Sequence, residues 1–155
     1  MSDANLTEIE QLSEQRLIER MIYDYSYHLD MNHPDELAAL FVDDCEVSYA
    51  PNFGAAGMEA YKKTLEGIGS YFGATSHHNS NIVVDFVGRA EANVRSIVIA
   101  VHRYRKERPD GWLFGQYFDN VVKVDGRWKF RRRELRTELT QNYHVKAANP
   151  IGRSE

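Results

Sequence analysis

The chain has one cysteine, Cys45, among 155 residues. A lone thiol excludes an internal disulfide, and no Cys/His spacing of the kind that holds zinc is present. Proline is scarce, with four in the chain. No proline-rich, repetitive or low-complexity stretch divides the sequence, so residues 1–155 read as a single domain. No apolar run approaches the ~20 residues a membrane-spanning helix needs. The N-terminal stretch "MSDANLTEIEQLSEQ" is acidic and polar, which is wrong for a secretory signal, so a cytoplasmic location without membrane contact is expected. Excess basic charge is also missing. A net charge of −4 argues against nucleic acid as a partner, because phosphate binding needs a basic surface. The basic run "KFRRRELR" reads as charges on a strand face or paired with nearby acids.

What is present is an ordinary globular composition, 43% hydrophobic and 27% charged, enough for one real core. The first third reads as helical. Thr7 with Glu10 three residues on is a capping-box pattern. Leu17, Ile18, Met21, Ile22, Tyr25 and Leu29 recur at helical spacing. "NHP" predicts an end near Met31, because the residue before proline resists helical geometry, and Pro34 suits the start of a short second helix. "CEVSYA" is a short strand, and "GMEAYKKTLEGIGSYF" a third helix weakened by Gly67 and Gly69.

From residue 75 the pattern changes. Four segments rich in β-branched and aromatic residues follow one another, separated by the turn signals "GRAE", "RPDG" and "DG". Helices first and an antiparallel meander afterwards predict an α+β domain, with the helices packed on one face of a strongly curved sheet. A long bent sheet makes a cone, and a helix across its mouth leaves a pocket. Residues from about 140 to 155 have little periodicity and read as a C-terminal tail, either loose, folded over the pocket mouth or docked on a neighbouring subunit.

Three stretches carry a resemblance: "YDYSYHLDMNHPDELAALFVDDCEVSY", "TSHHNSNIVVDF" and "GQYFDNVVKVDGRWKFRRREL". In their order the chain resembles the cone-shaped NTF2-like superfamily, in its SnoaL-like and scytalone dehydratase-like branch, over residues 8 to 140. The resemblance to scytalone dehydratases implies pocket roles for Asp30, Tyr49, His77 and His102. Resemblance to hexachlorocyclohexane dehydrochlorinases implies an Asp30–His77 dyad with Arg133 as the late arginine. Resemblance to bile-acid 7-dehydratases implies Tyr25, Asp30 and His77. All three converge on Asp30 and His77. Leu29 stands where scytalone dehydratases have a tyrosine, so the dyad transfers and the substrate-specific shell does not.

Chemistry fits this pair. Histidine titrates near neutrality, and a carboxylate on one ring nitrogen fixes the tautomer and stabilises the imidazolium. A carboxylate at a helix C-terminus is electrostatically unfavourable, which favours a functional reading of Asp30 over simple punctuation. His78 should face the opposite side of its strand from His77, unless a bulge in "SHHNS" exchanges them. His102 shares a face with Val98, Ala100 and Tyr104, as a pocket wall or as a satisfied core histidine. Trp128 and Phe130 read as core, and His28 and His33 as surface.

The expectation is therefore a lyase (dehydratase or dehydrohalogenase type) or isomerase acting on a hydrophobic cyclic small molecule. Its base is His77, oriented by Asp30. Tyr25 and His102 are further catalytic candidates, and Tyr49 and Arg133 substrate-binding ones. The scheme requires no metal and no organic cofactor. The resemblance also implies a homo-oligomer, a trimer rather than a dimer. The rival from another class is a non-catalytic binding module or a subunit like the small subunit of ring-hydroxylating dioxygenases. The Asp–Arg–Asp pattern of cone-fold epoxide hydrolases is not evident.

Overall fold

The computed structural model describes residues 6–143. Three helices, α1 (Glu8–Asp30), α2 (Pro34–Ala38) and α3 (Met58–Tyr71), accompany six strands. The strands are β1 (Phe41–Ala50), β2 (Phe53–Ala56), β3 (Phe72–Gly88), β4 (Glu91–Tyr104), β5 (Asp110–Val124) and β6 (Arg127–Tyr143). Thr140–Tyr143, expected as the start of the tail, instead complete β6 by pairing with β5. The rest of the expected tail lies outside the described residues. Among the described residues, no helix is long and apolar enough to cross a membrane.

Local chemistry sets the elements. The capping box closes as expected: the Thr7 amide donates to Glu10 Oε2 at 2.8 Å, and the Glu10 amide donates back to Thr7 Oγ1. The helical stripe Ile18, Met21, Ile22, Tyr25 and Leu29 is buried. At about 1.5–3 kcal/mol per fully buried large apolar side chain, this stripe fixes α1 on the sheet. The helix ends at Asp30, Asn32 turns the chain with φ 56°, and Pro34 opens α2. "DG" makes the β5–β6 hairpin, with Asp125 and Gly126 both at positive φ, as a two-residue type I′ turn requires.

The strand order is β2-β1-β6-β5-β4-β3. The meander β3–β6 is antiparallel throughout. Two features go beyond the sequence reading: β1 runs parallel to β6, and β2 forms an extra hairpin with β1. Along β4 the inner face is buried at Ala92, Val94, Ser96, Val98 and Ala100. Register breaks at Ser80/Val83, Phe114/Gly115 and Asn120/Val121 bend the long strands, as bulges do. Gly115 sits at one of these breaks, where a Cβ would lie 2.6 Å from the Arg136 carbonyl oxygen. The result is an α+β NTF2-like cone. Its concave side is closed at the bottom by Phe41, Phe130, Val121 and the α1 stripe.

Candidate active site

Asp30 is the last residue of α1, and it faces β3. Its carboxylate accepts three hydrogen bonds from that strand. Thr75 Oγ1 donates to Oδ1 at 2.9 Å, the His77 amide to Oδ2 at 2.9 Å, and His77 Nδ1 to Oδ1 at 2.7 Å. These donors offset the unfavourable position at the helix C-terminus. Thr75 and His77 share a face because strand residues two apart do. The His77 and Asp30 side chains are 7% and 17% exposed. With Nδ1–H committed to the carboxylate, Nε2 is the nitrogen left to exchange a proton with a bound molecule.

His77 lines a cavity of about 400 Å³, a size that suits a small organic ligand. The register stays continuous from Ala74 to Ser80, so no bulge exchanges the two histidines. His78 is exposed on the other face, with Nε2 3.0 Å from Ser76 Oγ. His102 does line the cavity. Its ring meets His77 edge-on, with centroids 5.4 Å apart, and lies tilted on Phe72 at 4.7 Å.

A chain of phenols runs along the other wall. Tyr25 Oη is 2.7 Å from Tyr49 Oη, which is 2.9 Å from Tyr61 Oη. Tyr25, Tyr49 and Tyr117 line the cavity. Burial pushes all four phenols above the ordinary tyrosine value, most strongly for Tyr25, Tyr49 and Tyr61. They are therefore neutral hydrogen-bond donors rather than bases. Tyr25 also stands within hydrogen-bonding reach of Tyr117, so its proton has a protein partner as well as the cavity to point at.

Arg133, expected among the substrate-binding residues, is not a lining residue of this cavity. It is fully buried behind the phenols and bonds Asp119 Oδ2 through Nη1 at 3.0 Å. Its Cζ lies 3.6 Å from the Tyr117 ring centroid, 4.1 Å from that of Tyr25 and 4.6 Å from that of Phe130. The bulge opposite Asn120/Val121 turns it inward, out of the surface row formed by Arg131 and Arg132. Burial pushes the Asp119 carboxyl above the usual carboxylate range, against the pull of Arg133. Burial would also lower the Arg133 guanidinium, but Asp119 outweighs it and the cation is held.

The sequence profile of the SnoaL-like domain matches residues 10–134. The chain belongs to the SnoaL-like domain family. A crystal structure of a Novosphingobium aromaticivorans DSM 12444 protein, provisionally named a scytalone dehydratase, is 74% identical to it. That likeness covers 96% of this chain and 100% of the other, with a TM-score of 0.85. A type 2 hexachlorocyclohexane dehydrochlorinase, LinA, is 18% identical over 93% of this chain and 99% of its own, with a TM-score of 0.84. The type 3 LinA of Novosphingobium barchaimii LL02 is 17% identical over 91% of this chain and 100% of its own, with a TM-score of 0.81. At such identities the LinA likeness is one of fold. A search of curated proteins returns no match.

Sequence reasoning about this SnoaL-like chain singled out Asp30, His77, His102, Tyr25 and Tyr49, and the fold brings these five together. It missed Thr75, Tyr61, Tyr117 and Asp119. Thr75 was recoverable from its place two residues before His77. Asp119 was recoverable as a carboxylate in phase with Tyr117 and Val121. Tyr61 carried no signal beyond its helical stripe. His28 and His33 are half-buried rather than on the surface, their rings 5.7 Å apart beside Tyr27. Trp128 and Phe130 are core. Among the described residues, no group of three or more His, Cys, Asp or Glu could hold a metal ion.

Proposed function

We propose that this SnoaL-like protein is a cofactor-independent lyase or isomerase that acts on a hydrophobic cyclic small molecule. The observation that carries the reading is the 2.7 Å contact of Asp30 with His77 Nδ1 at the wall of a cavity. His77 Nε2 removes a proton from carbon, and the C–H electron pair becomes the new C=C bond. A hydroxyl or halide leaves the neighbouring carbon with its bonding pair. In dehydration the imidazolium returns the proton to the departing oxygen, so water is released and His77 is neutral again; when a halide leaves, the imidazolium gives the proton to solvent. In isomerisation the proton returns to another carbon. Asp30 fixes the tautomer and stabilises the imidazolium. Tyr25, Tyr49 or His102 donates a hydrogen bond to the leaving group or a developing enolate oxygen, worth about 3 kcal/mol in a dry site. The name of the 74% identical relative supports the lyase side of the reading.

The test is a screen of hydroxy-ketones, halogenated rings and unsaturated ketones, comparing wild type with His77→Ala. The expected result is turnover of at least one class, lost in a variant that still folds by circular dichroism. Unchanged turnover rejects His77 as the base.

A homotrimer belongs to the same proposal. It is supported by the apolar row Ile99, Phe114 and Leu139 across the outer sheet face, with Leu139 53% exposed. Light scattering after size exclusion should give three times the chain mass; a monomer or dimer mass removes it.

A further inference from the structure

The cavity has a second chemical feature, remote from the dyad. Its walls are apolar, aromatic, hydroxyl-bearing or, at Asn142, amide-bearing, and among the lining residues Arg108 carries the one permanent charge. Arg108 lies in the β4–β5 connection, exposed at the mouth. Its Cζ sits 3.8 Å above the Tyr104 ring, and Nη1 donates to Tyr71 Oη at 3.2 Å. Those contacts hold the side chain in place and leave most of its N–H donors uncommitted. No carboxylate pairs with it among the described residues. The nearby acid, Asp110, is occupied by both Nε and Nη2 of Arg103, the latter at 2.8 Å. Arg103 at the end of β4 is thus neutralised, whereas Arg108 in the connection has no carboxylate partner among the described residues and lines the pocket.

The register gives the span. His77 pairs with Ala100, and Phe72 pairs with Tyr104, the ring beneath Arg108. The four residue steps from Ala100 to Tyr104 extend about 13 Å at ~3.3 Å each. That is about the length of two to three fused or linked six-membered rings. The intervening wall carries Phe72, His102 and Leu113, which suit a flat apolar body. A guanidinium at the end of such a wall matches the planar fork of a carboxylate better than any neutral polar group.

We infer that the cyclic substrate of the proposed reaction also carries a carboxylate, at the end remote from the reacting carbon, and that Arg108 binds it. This rests on the lyase or isomerase reading for the position of the reacting carbon, but not for the binding itself.

The experiment is a calorimetric titration of the full chain with biphenyl-4-carboxylate and its neutral isostere biphenyl-4-carboxamide. Wild type, Arg108→Gln and Arg105→Gln are compared. Arg105 is a neighbouring cation whose Nε and Nη2 bond the Gly69 carbonyl and which does not line the cavity. Wild type should bind the carboxylate about tenfold tighter than the amide, the scale of one charge-assisted hydrogen bond. Arg108→Gln should abolish that preference with the amide Kd unchanged, and Arg105→Gln should keep it. Equal Kd values in wild type, no binding of either probe, or a preference that survives Arg108→Gln overturns the inference. The titration involves no turnover. A chain that shows the preference but catalyses nothing overturns the reaction and leaves the carboxylate site; one that turns over substrates without the preference does the reverse.

Discussion

Two acid–base pairs sit inside the same cone, and they differ in what surrounds them. Asp30 and His77 meet at 2.7 Å on the cavity wall, and the carboxylate gains two further donors from β3. Asp119 and Arg133 meet at 3.0 Å with both side chains fully enclosed. There Asp119 Oδ1, Arg133 Nε and Arg133 Nη2 have no hydrogen-bond partner among the described residues. Aromatic faces take the place of those partners, at about 0.5–2 kcal/mol each for a cation over a ring. The first pair is satisfied on the carboxylate side and keeps one nitrogen toward the void, as a proton-transfer group must. The second is enclosed on both sides, and the Tyr25 and Tyr117 rings separate its cation from the cavity.

The sharpest way to break this contrast is Asp30→Asn. An amide keeps the size but neither fixes the tautomer nor stabilises an imidazolium. The turnover number should fall by about a thousandfold or more, with a fold that survives at a cost of about 1–3 kcal/mol in urea, because the amide NH2 meets a donor of β3 that the carboxylate accepted. An unchanged turnover number would make the pair a structural clamp like its buried counterpart.

Arg133→Met tests the other side. Removing one partner strands a buried carboxylate, so unfolding free energy should drop by about 3–5 kcal/mol. The double change Arg133→Met with Asp119→Leu should recover much of the loss, because no charge is then left unpaired. A single variant as stable as wild type would mean that the pair adds nothing the aromatic cage does not. Thr75→Val comes next. It removes one donor to Asp30 while keeping the shape, and should cost about 1 kcal/mol in urea unfolding and a smaller loss of turnover than Asp30→Asn.

The sequence made the first pair legible and left the second obscure, for a physical reason. Asp30 stands out because a carboxylate at a helix C-terminus needs an explanation, and His77 through the family resemblance, the period of a strand serving only to separate it from His78. Arg133 lies in a run of three arginines whose other members behave as such runs do. Arg131 pairs with Glu91, and Arg132 with Glu134. Only the bulge in β6 opposite Asn120 and Val121 turns Arg133 inward, and a bulge leaves little trace in composition. The same limit applies to the parallel β1–β6 contact and to Tyr61. Both depend on which distant segments meet, whereas the α1 cap, the Asp125–Gly126 turn and the alternation along β4 are local and were readable.

A third pair extends the contrast to the surface, where the smallest effect is expected. Arg89 Nη2 meets Glu10 Oε1 at 2.6 Å, with side chains 47% and 40% exposed. Its geometry is as close as that of the inner pairs, but solvent and salt weaken it. The Arg89 hydrogen bond, followed by those with Thr7, pulls the Glu10 carboxyl down to about 2 from its ordinary 4.5. A carboxyl depressed in the folded state stabilises above its unfolded value, and that contribution disappears as pH falls toward the folded value. Glu10→Gln should therefore lower the Tm at neutral pH, less than any change above. The gap from wild type should narrow between pH 4.5 and about 2 and then close. Salt at about 1 M should shrink the Arg89 share and leave the capping hydrogen bonds. A gap that stays constant across this range would assign the whole effect to the neutral cap. A loss as large as that of Arg133→Met would show that burial does not rank these three pairs.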